Sequence, residues 1–450
     1  MTIDSDNQDS LQKIVDLVAQ AKTAGADAAD AVFVAGASVS LAQRLGKPEH
    51  LSRSEYTDVG LRVFVGQRQA IVSSSDTAPE ALAELVERAV AMARVVPEDE
   101  FCGLAPEALL ATKIPDLDSN DPIEPDAETL KAHAAEAEDA ARAVSGVTNS
   151  EGAEAGWGRT YVAVAASNGF AQARVRSGHS LSASVLAGDG TEMERDYDWA
   201  SRVFGEDMPP PAEIGRNAGE RAVKRLNPRK VKTGQFPIVY DPRCSGSLVG
   251  HLTGAINGAQ VARGTTFLKD KLGELLFNET ITIVDDPLRR RGLASKPFDG
   301  EGIATAKRKL IEDGRLTTWI LDLRSARQLG METTGHASRG TSSPPSPSST
   351  NVYLEPGAVS PSEMIGGIES GLYVIEMMGR GINSVTGDYS RGASGFWIEN
   401  GEIAFPVSEL TIAGNLIEMF ANLSAADDLE FNYSTNAPTL RVDGMTVAGK

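Results

Sequence analysis

The residues best suited to chemistry lie in one stretch, Cys244–Arg263, which reads CSGSLVGHLTGAINGAQVAR. It holds a thiol at Cys244, hydroxyls at Ser245 and Ser247, and an imidazole at His251. A cysteine at a helix N-terminus can have a lowered pKa and act as a nucleophile, but we favour a buried and inert thiol here. The GxSxG pattern of hydrolytic serines fits neither serine, because the glycines two residues before and after it are absent.

Histidines are the next candidates, as metal ligands. The chain has His50, His133, His179, His251 and His336. They are far apart in sequence and no HExxH occurs, whereas a catalytic metal needs several convergent ligands. We therefore favour structural roles for all of them. A role in a pocket stays open for His251 and His336, which lie among glycines.

Two carboxylates, Asp299 and Glu301, stand between glycines in the segment Phe298–Gly302. A pair of acids can transfer protons or bind a cation. A turn between two strands explains the same pattern, so both interpretations stay open.

The helix predicted over Cys244–Arg263 must position these groups. Its glycines recur every fourth residue, at Gly246, Gly250, Gly254 and Gly258, and so form a ridge along one face. Each glycine inside a helix costs about 1 kcal/mol relative to alanine. We therefore expect this face to be clamped closely against a strand or the backbone of a partner.

Composition narrows the class of protein. The chain has 450 residues, 41% of them hydrophobic and 23% charged, and a formal net charge of -19. This acidity argues against binding to nucleic acid or to anionic membranes. Two cysteines, Cys102 and Cys244, cannot build a disulfide scaffold. The polar, acidic N-terminus does not resemble a signal peptide, and no apolar run could span a bilayer. We expect a cytoplasmic protein.

Periodicity predicts an α+β fold with two N-terminal units of helix and antiparallel strands, residues 1–115 and 122–230. Helices are predicted over Leu11–Ala24, Pro79–Val95, Asp126–Ala143 and Pro211–Arg225. Strands are predicted over Ala31–Val34, Ser38–Arg44, Val59–Val65, Gln69–Ser73, Val147–Glu154, Arg159–Ser167, Ala171–Val185 and Glu192–Ser201. A linker over Pro97–Pro125 separates the two units.

Residues 231–450 are predicted to form a β-rich domain, an antiparallel sheet or partial barrel around one or two helices. Hairpin turns are predicted at Asp313–Gly314, Asn400–Gly401 and Asp443–Gly444. The segment Ser338–Thr350 is rich in serine and proline, which predicts an extended, exposed loop.

The C-terminal half resembles the TldD/PmbA family of metallopeptidases, and within it the PmbA (TldE) branch. The motifs that carry the resemblance are VGHLTGAINGAQVARGTTFL (249–268), KPFDGEG (296–302), NVYLEPG (351–357) and GDYSRGASGFWIENGEIAFPVSELTIAGNL (387–416). The resemblance implies two different subunits that form a cytoplasmic heterodimer and cleave unstructured peptides.

In the TldD branch, the resemblance implies a metal held by HExxxH and by a cysteine near the C-terminus. Aligning the final histidine places Gly246 at the first histidine and Ser247 at the glutamate, so His251 alone remains. The segment 429–436, where the cysteine is expected, has none. We therefore predict no metal and no catalytic residue in this chain, and zinc or a similar divalent metal only in a TldD-type partner.

The resulting hypothesis is a non-catalytic subunit that encloses a substrate chamber beside a TldD-type catalytic subunit and supports its metal site. The chamber candidates are Gly250, His251, Gly254, His336 and Ser342. Strand addition would recognise the backbone of an unstructured peptide with little sequence preference. Two alternatives stay open: an independent peptidase that uses Cys244 or His251, and a homo-oligomeric peptide-binding or scaffold protein. A homodimer of the isolated chain is also compatible with this sequence.

Overall fold

The computed structural model describes residues 3–379 and 381–449. Its N-terminal half combines long antiparallel strands with amphipathic helices. The elements are α1 Ile3–Thr23, β1 Ala28–Arg44, β2 Lys47–Val65, β3 Arg68–Ser74, α2 Pro79–Ala93, α3 Ala127–Arg142, β4 Val147–Ala166, β5 Ala171–Ala187, β6 Glu194–Arg202 and α4 Pro211–Lys224. The four predicted helices are confirmed to within a few residues, except that α1 begins earlier. Asp126 caps α3 by accepting a hydrogen bond from the Thr129 N–H.

Strands β1 to β6 form one sheet in the order β3-β2-β1-β4-β5-β6. The two predicted N-terminal units are joined in this sheet, because β1 pairs with β4 from Asp30–Ala166 to Gln43–Ala153. Whether 1–115 and 122–230 are separate domains stays a prediction. The break predicted between Val34 and Ser38 is wrong. Strand β1 continues through Gly36, whose missing side chain leaves room for the Tyr56 ring opposite.

The helices cover this sheet in two pairs. Helices α1 and α2 pack on β1–β3 and on one end of β4, and α3 and α4 pack on β4–β6 and on the other end of β1, so each pair encloses its own apolar core. The predicted linker between α2 and α3 has no strand within its described residues. It is nevertheless fixed to the C-terminal half, where Arg327 donates hydrogen bonds to the carbonyls of Phe101, Gly103 and Leu104 at 2.8–3.3 Å.

The C-terminal half is rich in short strands. Its elements are β7 Gly234–Tyr240, α5 Pro242–Ala255, α6 Gly258–Ala262, β8 Ile283–Asp285, β9 Arg308–Glu312, β10 Arg315–Leu316, α7 Leu323–Leu329, β11 Ala337–Ser338, β12 Ser346–Pro347, β13 Val352–Leu354, α8 Pro361–Gly366, β14 Ser370–Met378, β15 Asp388–Glu399, β16 Glu402–Asn415, α9 Leu416–Ala421, β17 Leu423–Ala425, β18 Thr435–Asn436 and β19 Leu440–Ala448.

The predicted partial barrel is confirmed. One sheet has the order β16-β15-β14-β7-β19-β17, and β16 also pairs with β19 at Thr411–Ala413, so the sheet curls back on itself. It is mixed rather than wholly antiparallel, since β14 runs parallel to β7. A second sheet has the order β10-β9-β8-β13-β18. Apolar side chains from both sheets and from α5 form the largest core of the chain.

The hairpins at Asp313–Gly314 and Asn400–Gly401 are confirmed, because they join β9 to β10 and β15 to β16. The prediction of a hairpin at Asp443–Gly444 is wrong. Both residues lie inside β19, where Gly444 has φ +79° and the pairing register with β7 shifts between Val442 and Met445. Because β19 has strand partners on both sides, it continues through these residues as a β-bulge.

The predicted helix over Cys244–Arg263 is two helices, α5 and α6, separated at Ile256–Asn257. Asp241 caps α5 and Asn257 caps α6 through their side-chain oxygens. No helix among the described residues is long and apolar enough to cross a bilayer.

The glycine ridge is clamped at its ends alone. A Cβ on Gly246 would lie 2.9 Å from the Thr435 carbonyl oxygen, and one on Gly258 would lie 2.9 Å from the Ile320 oxygen. Gly250 and Gly254 are exposed, and a Cβ on either would have no described neighbour within 4 Å. The expectation of close packing is therefore wrong for these middle glycines within this chain.

The Ser/Pro segment is less exposed than predicted. Its ends pair as β11 and β12, and Pro345, Pro347 and Thr350 are buried. Thr341 donates a hydrogen bond to Asp58 on β2, which ties the segment to the N-terminal sheet. The prediction missed this because proline patterns describe local backbone and cannot show which surface the segment packs against.

Candidate functional site

A cavity of about 720 Å³ opens between the N-terminal sheet and the C-terminal barrel. The sheet contributes residues of β1, β2, β4, β5 and β6, and the barrel contributes residues of α5, β14 and β15. Its lining includes these charged, thiol and hydroxyl side chains: Glu49, His50, Glu151, Glu154, Arg195, Arg243, Cys244, Ser247, Glu376 and Arg391. The cavity is therefore mixed in charge, with carboxylates and guanidinium groups on both sides.

Three of these lining residues, Arg195, Arg243 and Glu376, are paired across the boundary between the two halves. Arg243 on α5 donates a hydrogen bond of 2.9 Å to Asp196 on β6. Arg225 forms an ion pair of 2.7 Å with Glu376 on β14. Arg195 lies 3.3 Å from Glu151 and 3.8 Å from Glu376. These pairs hold the two walls of the cavity together.

Arg391 differs from the other guanidinium groups of the cavity. Its Nε donates to the Met378 carbonyl at 3.2 Å, and no carboxylate among the described residues forms an ion pair with it. Its charge is therefore available to an anionic or carbonyl group that enters the cavity.

His251 lies one turn after Ser247 on α5, with its ring edge-on to Tyr389 at 5.9 Å between centroids. Its Nε2 is buried without a hydrogen-bond partner among the described residues. Burial and the nearby Arg391 lower the pKa of His251 to about 4. The imidazole is therefore neutral at pH 7. A neutral imidazole can bind a metal, but a cationic neighbour opposes a divalent cation at the same place.

The remaining positions of the degenerate motif offer no ligands. Gly246 faces the backbone of β18, which packs against α5, and the segment 429–436 contains no cysteine. Ser247 lines the cavity, but its hydroxyl donates to the Cys244 carbonyl of its own helix at 2.6 Å. Within residues 3–379 and 381–449, no three His, Cys, Asp or Glu side chains form a group that could hold a metal ion. The donor set of this site does not fit zinc.

Comparisons with known proteins point to one family for all three parts of the chain. Models of PmbA/TldA metallopeptidase domain 1, central domain and C-terminal domain match residues 29–93, 120–226 and 233–449. Metalloprotease PmbA of Escherichia coli O157:H7 is 36% identical over 442 residues, which covers 98% of this chain and 96% of that protein. The chain belongs to the PmbA/TldD metallopeptidase family. The predicted family resemblance is thereby confirmed.

Other PmbA/TldD relatives show the same relationship. The PmbA homologue of Haemophilus influenzae is 36% identical over 447 residues, 98% of this chain and 96% of that one. A solved structure from Bacteroides thetaiotaomicron, described as a putative modulator of DNA gyrase, has a TM-score of 0.89 at 27% identity and covers 98% of each chain. TldE of Thermococcus kodakarensis has a TM-score of 0.86 at 22% identity, covering 97% of this chain and 100% of that one, and shows the shared fold.

The predicted chamber residues lie outside the large cavity of this PmbA/TldD chain, and their role in a chamber stays a prediction. Gly250 and Gly254 are on the exposed face of α5, and Ser342 is exposed on the Ser/Pro segment. His336 is 1% exposed and lies within hydrogen-bond distance of Thr334 and Asp285, at 2.9 and 3.2 Å. None of these four is among the lining residues of the large cavity, and neither is His251. His336 instead holds the buried end of the Ser/Pro segment.

Cys244 lines the cavity as a buried thiol. Burial and the neighbouring Asp241 raise its pKa to about 12, so it stays protonated at neutral pH. The carboxylate pair also has local partners: Asp299 accepts hydrogen bonds from the backbone N–H groups of Glu301, Ile303 and Ala337 at 2.9–3.0 Å. The bonds from Glu301 and Ile303 are those of a local turn, whereas the bond from Ala337 ties this turn to β11.

Sequence reasoning missed the charged lining of the cavity. Glu376 offered one signal, because it is a carboxylate inside the apolar strand SGLYVIEMM. Arg243 and Arg391 offered none, since arginine in a polar loop or strand end is common. These side chains become neighbours through strand pairing between distant segments.

Proposed function

We propose that this chain is the non-catalytic subunit of a two-subunit peptidase of the PmbA/TldD family, and that its cavity receives part of an unstructured peptide. The observation that carries the proposal is the packing of Gly246 against the Thr435 backbone. No side chain fits at Gly246 unless β18 moves, so no ligand can project from the position where the resemblance places the first histidine. The metal, zinc or a similar ion, would be held by a TldD-type partner in the cytoplasm.

The exposed glycines of α5 support a partner surface. Gly250 and Gly254 leave bare helix backbone facing outward, at a cost of about 1 kcal/mol each relative to alanine. Nothing described in this chain packs on them to offset that cost. A closely approaching backbone, from the catalytic subunit or from its substrate, would make use of the missing side chains.

The edge of β2 supports recognition of an extended peptide. Residues 47–58 pair with β1 on one side, whereas β3 pairs with β2 from Val59 onward. This free edge is exposed and includes Glu49 and His50, which line the large cavity. A peptide that added to this edge as a strand would be held by its backbone and led toward the cavity.

The relatives named metalloproteases support a role in proteolysis, and the site chemistry favours the supporting role over an independent activity. The protonated Cys244 thiol is a poor nucleophile. The neutral imidazole of His251 belongs to no group of three metal-ligating side chains among the described residues, and its Nε2 has no hydrogen-bond partner there.

A mixing experiment tests the proposal. The purified chain, a TldD-type subunit and their equimolar mixture are each incubated with an unfolded peptide such as reduced casein. We expect cleavage by the mixture, sensitive to a chelator, and none by this chain. The same cleavage rate for the TldD-type subunit with and without this chain would contradict the proposal.

A homo-oligomeric peptide-binding protein without a proteolytic role is the second candidate, because the cavity and the free edge of β2 both lie within this one chain. Sedimentation of the untagged chain from its own cells distinguishes the two. Association with copies of itself alone would favour this second function.

A further inference from the structure

A second, smaller cavity of about 40 Å³ lies between the N-terminal sheet and the segments 296–300 and 337–339. Valines of β1 and β4 form its apolar side. Its polar side carries three cationic side chains, Arg174 from β5, Lys296 and Arg339. Cations buried together repel one another unless anions offset them.

Arg339 is the most deeply buried of the three, with 1% of its side chain exposed. Its Nη1 donates to Asp30 at 2.5 Å. Its Nε and Nη2 are buried and have no hydrogen-bond partner among the described residues. A buried donor without a partner is unfavourable, more so when it carries charge, so these two donors indicate an acceptor that the described residues do not supply.

The other two cations also have few hydrogen-bond partners among the described residues. Lys296 donates one hydrogen bond, to the Ala337 carbonyl at 3.2 Å, although an ammonium group has three donors. Arg174 forms no hydrogen bond or ion pair with any described residue. Burial lowers the pKa of Lys296 to about 8, with Asp299 opposing and Arg174 adding to the shift. The lysine is still mostly protonated at pH 7.

The nearby carboxylates are already engaged. Asp30 is shared between Arg62 and Arg339. Asp299, which lines the cavity, accepts hydrogen bonds from three backbone N–H groups. Burial and the neighbouring Asp299 raise the pKa of Glu301 to about 8, so that carboxyl is mostly neutral at pH 7. Positive charge therefore exceeds negative charge around the cavity, in a chain whose net charge is -19.

We propose that this cavity binds a small monovalent inorganic anion of halide size between Arg174, Lys296 and Arg339. One water-sized sphere needs about 10–15 Å³ of such volume, so the space suits a chloride ion but not a phosphate ester. The anion accepts hydrogen bonds from the free donors of Arg339 and Lys296. Because Arg174 belongs to the N-terminal sheet and the other two belong to the C-terminal half, the bound anion joins the halves.

Thermal unfolding of the full-length chain tests this site. The midpoint Tm is measured while sodium gluconate is replaced by sodium chloride or sodium bromide at constant ionic strength and pH 7. Because the anion binds the folded state, we expect Tm to rise by about 2 °C or more and to saturate. Sodium sulfate tests for a larger oxyanion. Sulfate also stabilises folded proteins by exclusion from their surface, so the result that would overturn the halide assignment is a saturating sulfate effect that exceeds that of chloride and is lost in Arg174→Gln.

Arg174→Gln should abolish the chloride-dependent rise, because it removes one cation without breaking a described hydrogen bond. Arg290→Gln is the control, since that guanidinium is exposed and distant from the cavity lining. An equal Tm in gluconate and chloride for the unmodified chain, or an unchanged chloride effect in Arg174→Gln, would overturn the proposal. If Arg174→Gln does not fold, anomalous scattering from crystals of the unmodified chain grown in bromide decides: a peak beside Arg339 supports the site and no peak there overturns it.

Discussion

The carbonyl oxygen of Thr435 lies 2.9 Å from the position that a Cβ on Gly246 would occupy. Helix α5 and strand β18 thus touch backbone to backbone at the place where the family resemblance puts a metal-binding histidine. The segment in which the resemblance puts a cysteine is the same one that fills this space. The position expected to supply a histidine, Gly246, therefore packs against the segment expected to supply a cysteine, 429–436.

Replacing Gly246 or Gly250 with alanine should change the free energy of unfolding in opposite directions. Gly246→Ala should lower the free energy of unfolding by about 1–3 kcal/mol, because the new Cβ collides with backbone. Gly250→Ala should raise it by roughly 0.5–1 kcal/mol, since the position is open and alanine favours helix. Urea denaturation of the isolated chain measures both. A stabilising Gly246→Ala would show that β18 does not constrain α5 as described.

The exposed face of α5 should matter for assembly rather than for folding. Gly254→Leu adds bulk at an exposed position where a Cβ would meet no atom of another described segment within 4 Å, so Tm should change little. Its affinity for a TldD-type subunit should fall by tenfold or more, an effect of about 1.4 kcal/mol. Glu279→Leu, at an exposed loop position, is the matched control. Unchanged affinity for Gly254→Leu would remove α5 from the proposed interface.

His251 should make the folded state sensitive to acid. Its pKa is about 4 in the folded chain and about 6.5 in an unfolded one. Between these values the unfolded chain binds more protons, so stability falls as pH decreases. Protonation of His251 should lower the free energy of unfolding by roughly 2 kcal/mol between pH 7 and pH 5. His251→Phe should retain the ring contact with Tyr389 but lose this part of the pH dependence of stability. Urea unfolding at pH 7 and at pH 5 measures it. His50→Gln, at an exposed histidine, should keep it.

Arg327 should hold the connection between α2 and α3 in place. It donates hydrogen bonds to the backbone carbonyls of Phe101, Gly103 and Leu104. Arg327→Met removes these bonds and should speed proteolytic cleavage within residues 97–125 severalfold under native conditions. Mass spectrometry of the fragments locates the cut. Cleavage at the unmodified rate would mean that other contacts are sufficient to hold this segment.

The N-terminal helices were predictable because each has a local signal. Asp126 caps α3, and Pro79 and Pro211 begin α2 and α4. Errors arose where a distant contact decides the local structure. Gly36 is compatible with a strand because Tyr56 covers it, and Asp443–Gly444 is a bulge rather than a turn because β19 has neighbours on both sides.

The degenerate motif could be read from the sequence because the family resemblance aligns Gly246, Ser247 and His251 with HExxxH within one short segment. The cavity could not, because its walls come from strands far apart along the chain. For Cys244 the favoured prediction was a buried and inert thiol, and burial in the tertiary structure does raise its pKa to about 12. Sequence order indicates helix faces, but not which sheet a face meets.

Metal analysis of the purified chain tests the central claim most directly. The chain is purified without chelators, equilibrated with zinc, desalted and measured by plasma mass spectrometry, alone and in complex with a TldD-type subunit. The account predicts far less than stoichiometric zinc on the isolated chain and stoichiometric zinc on the complex. Stoichiometric zinc on the isolated chain, lost in His251→Phe, would contradict it.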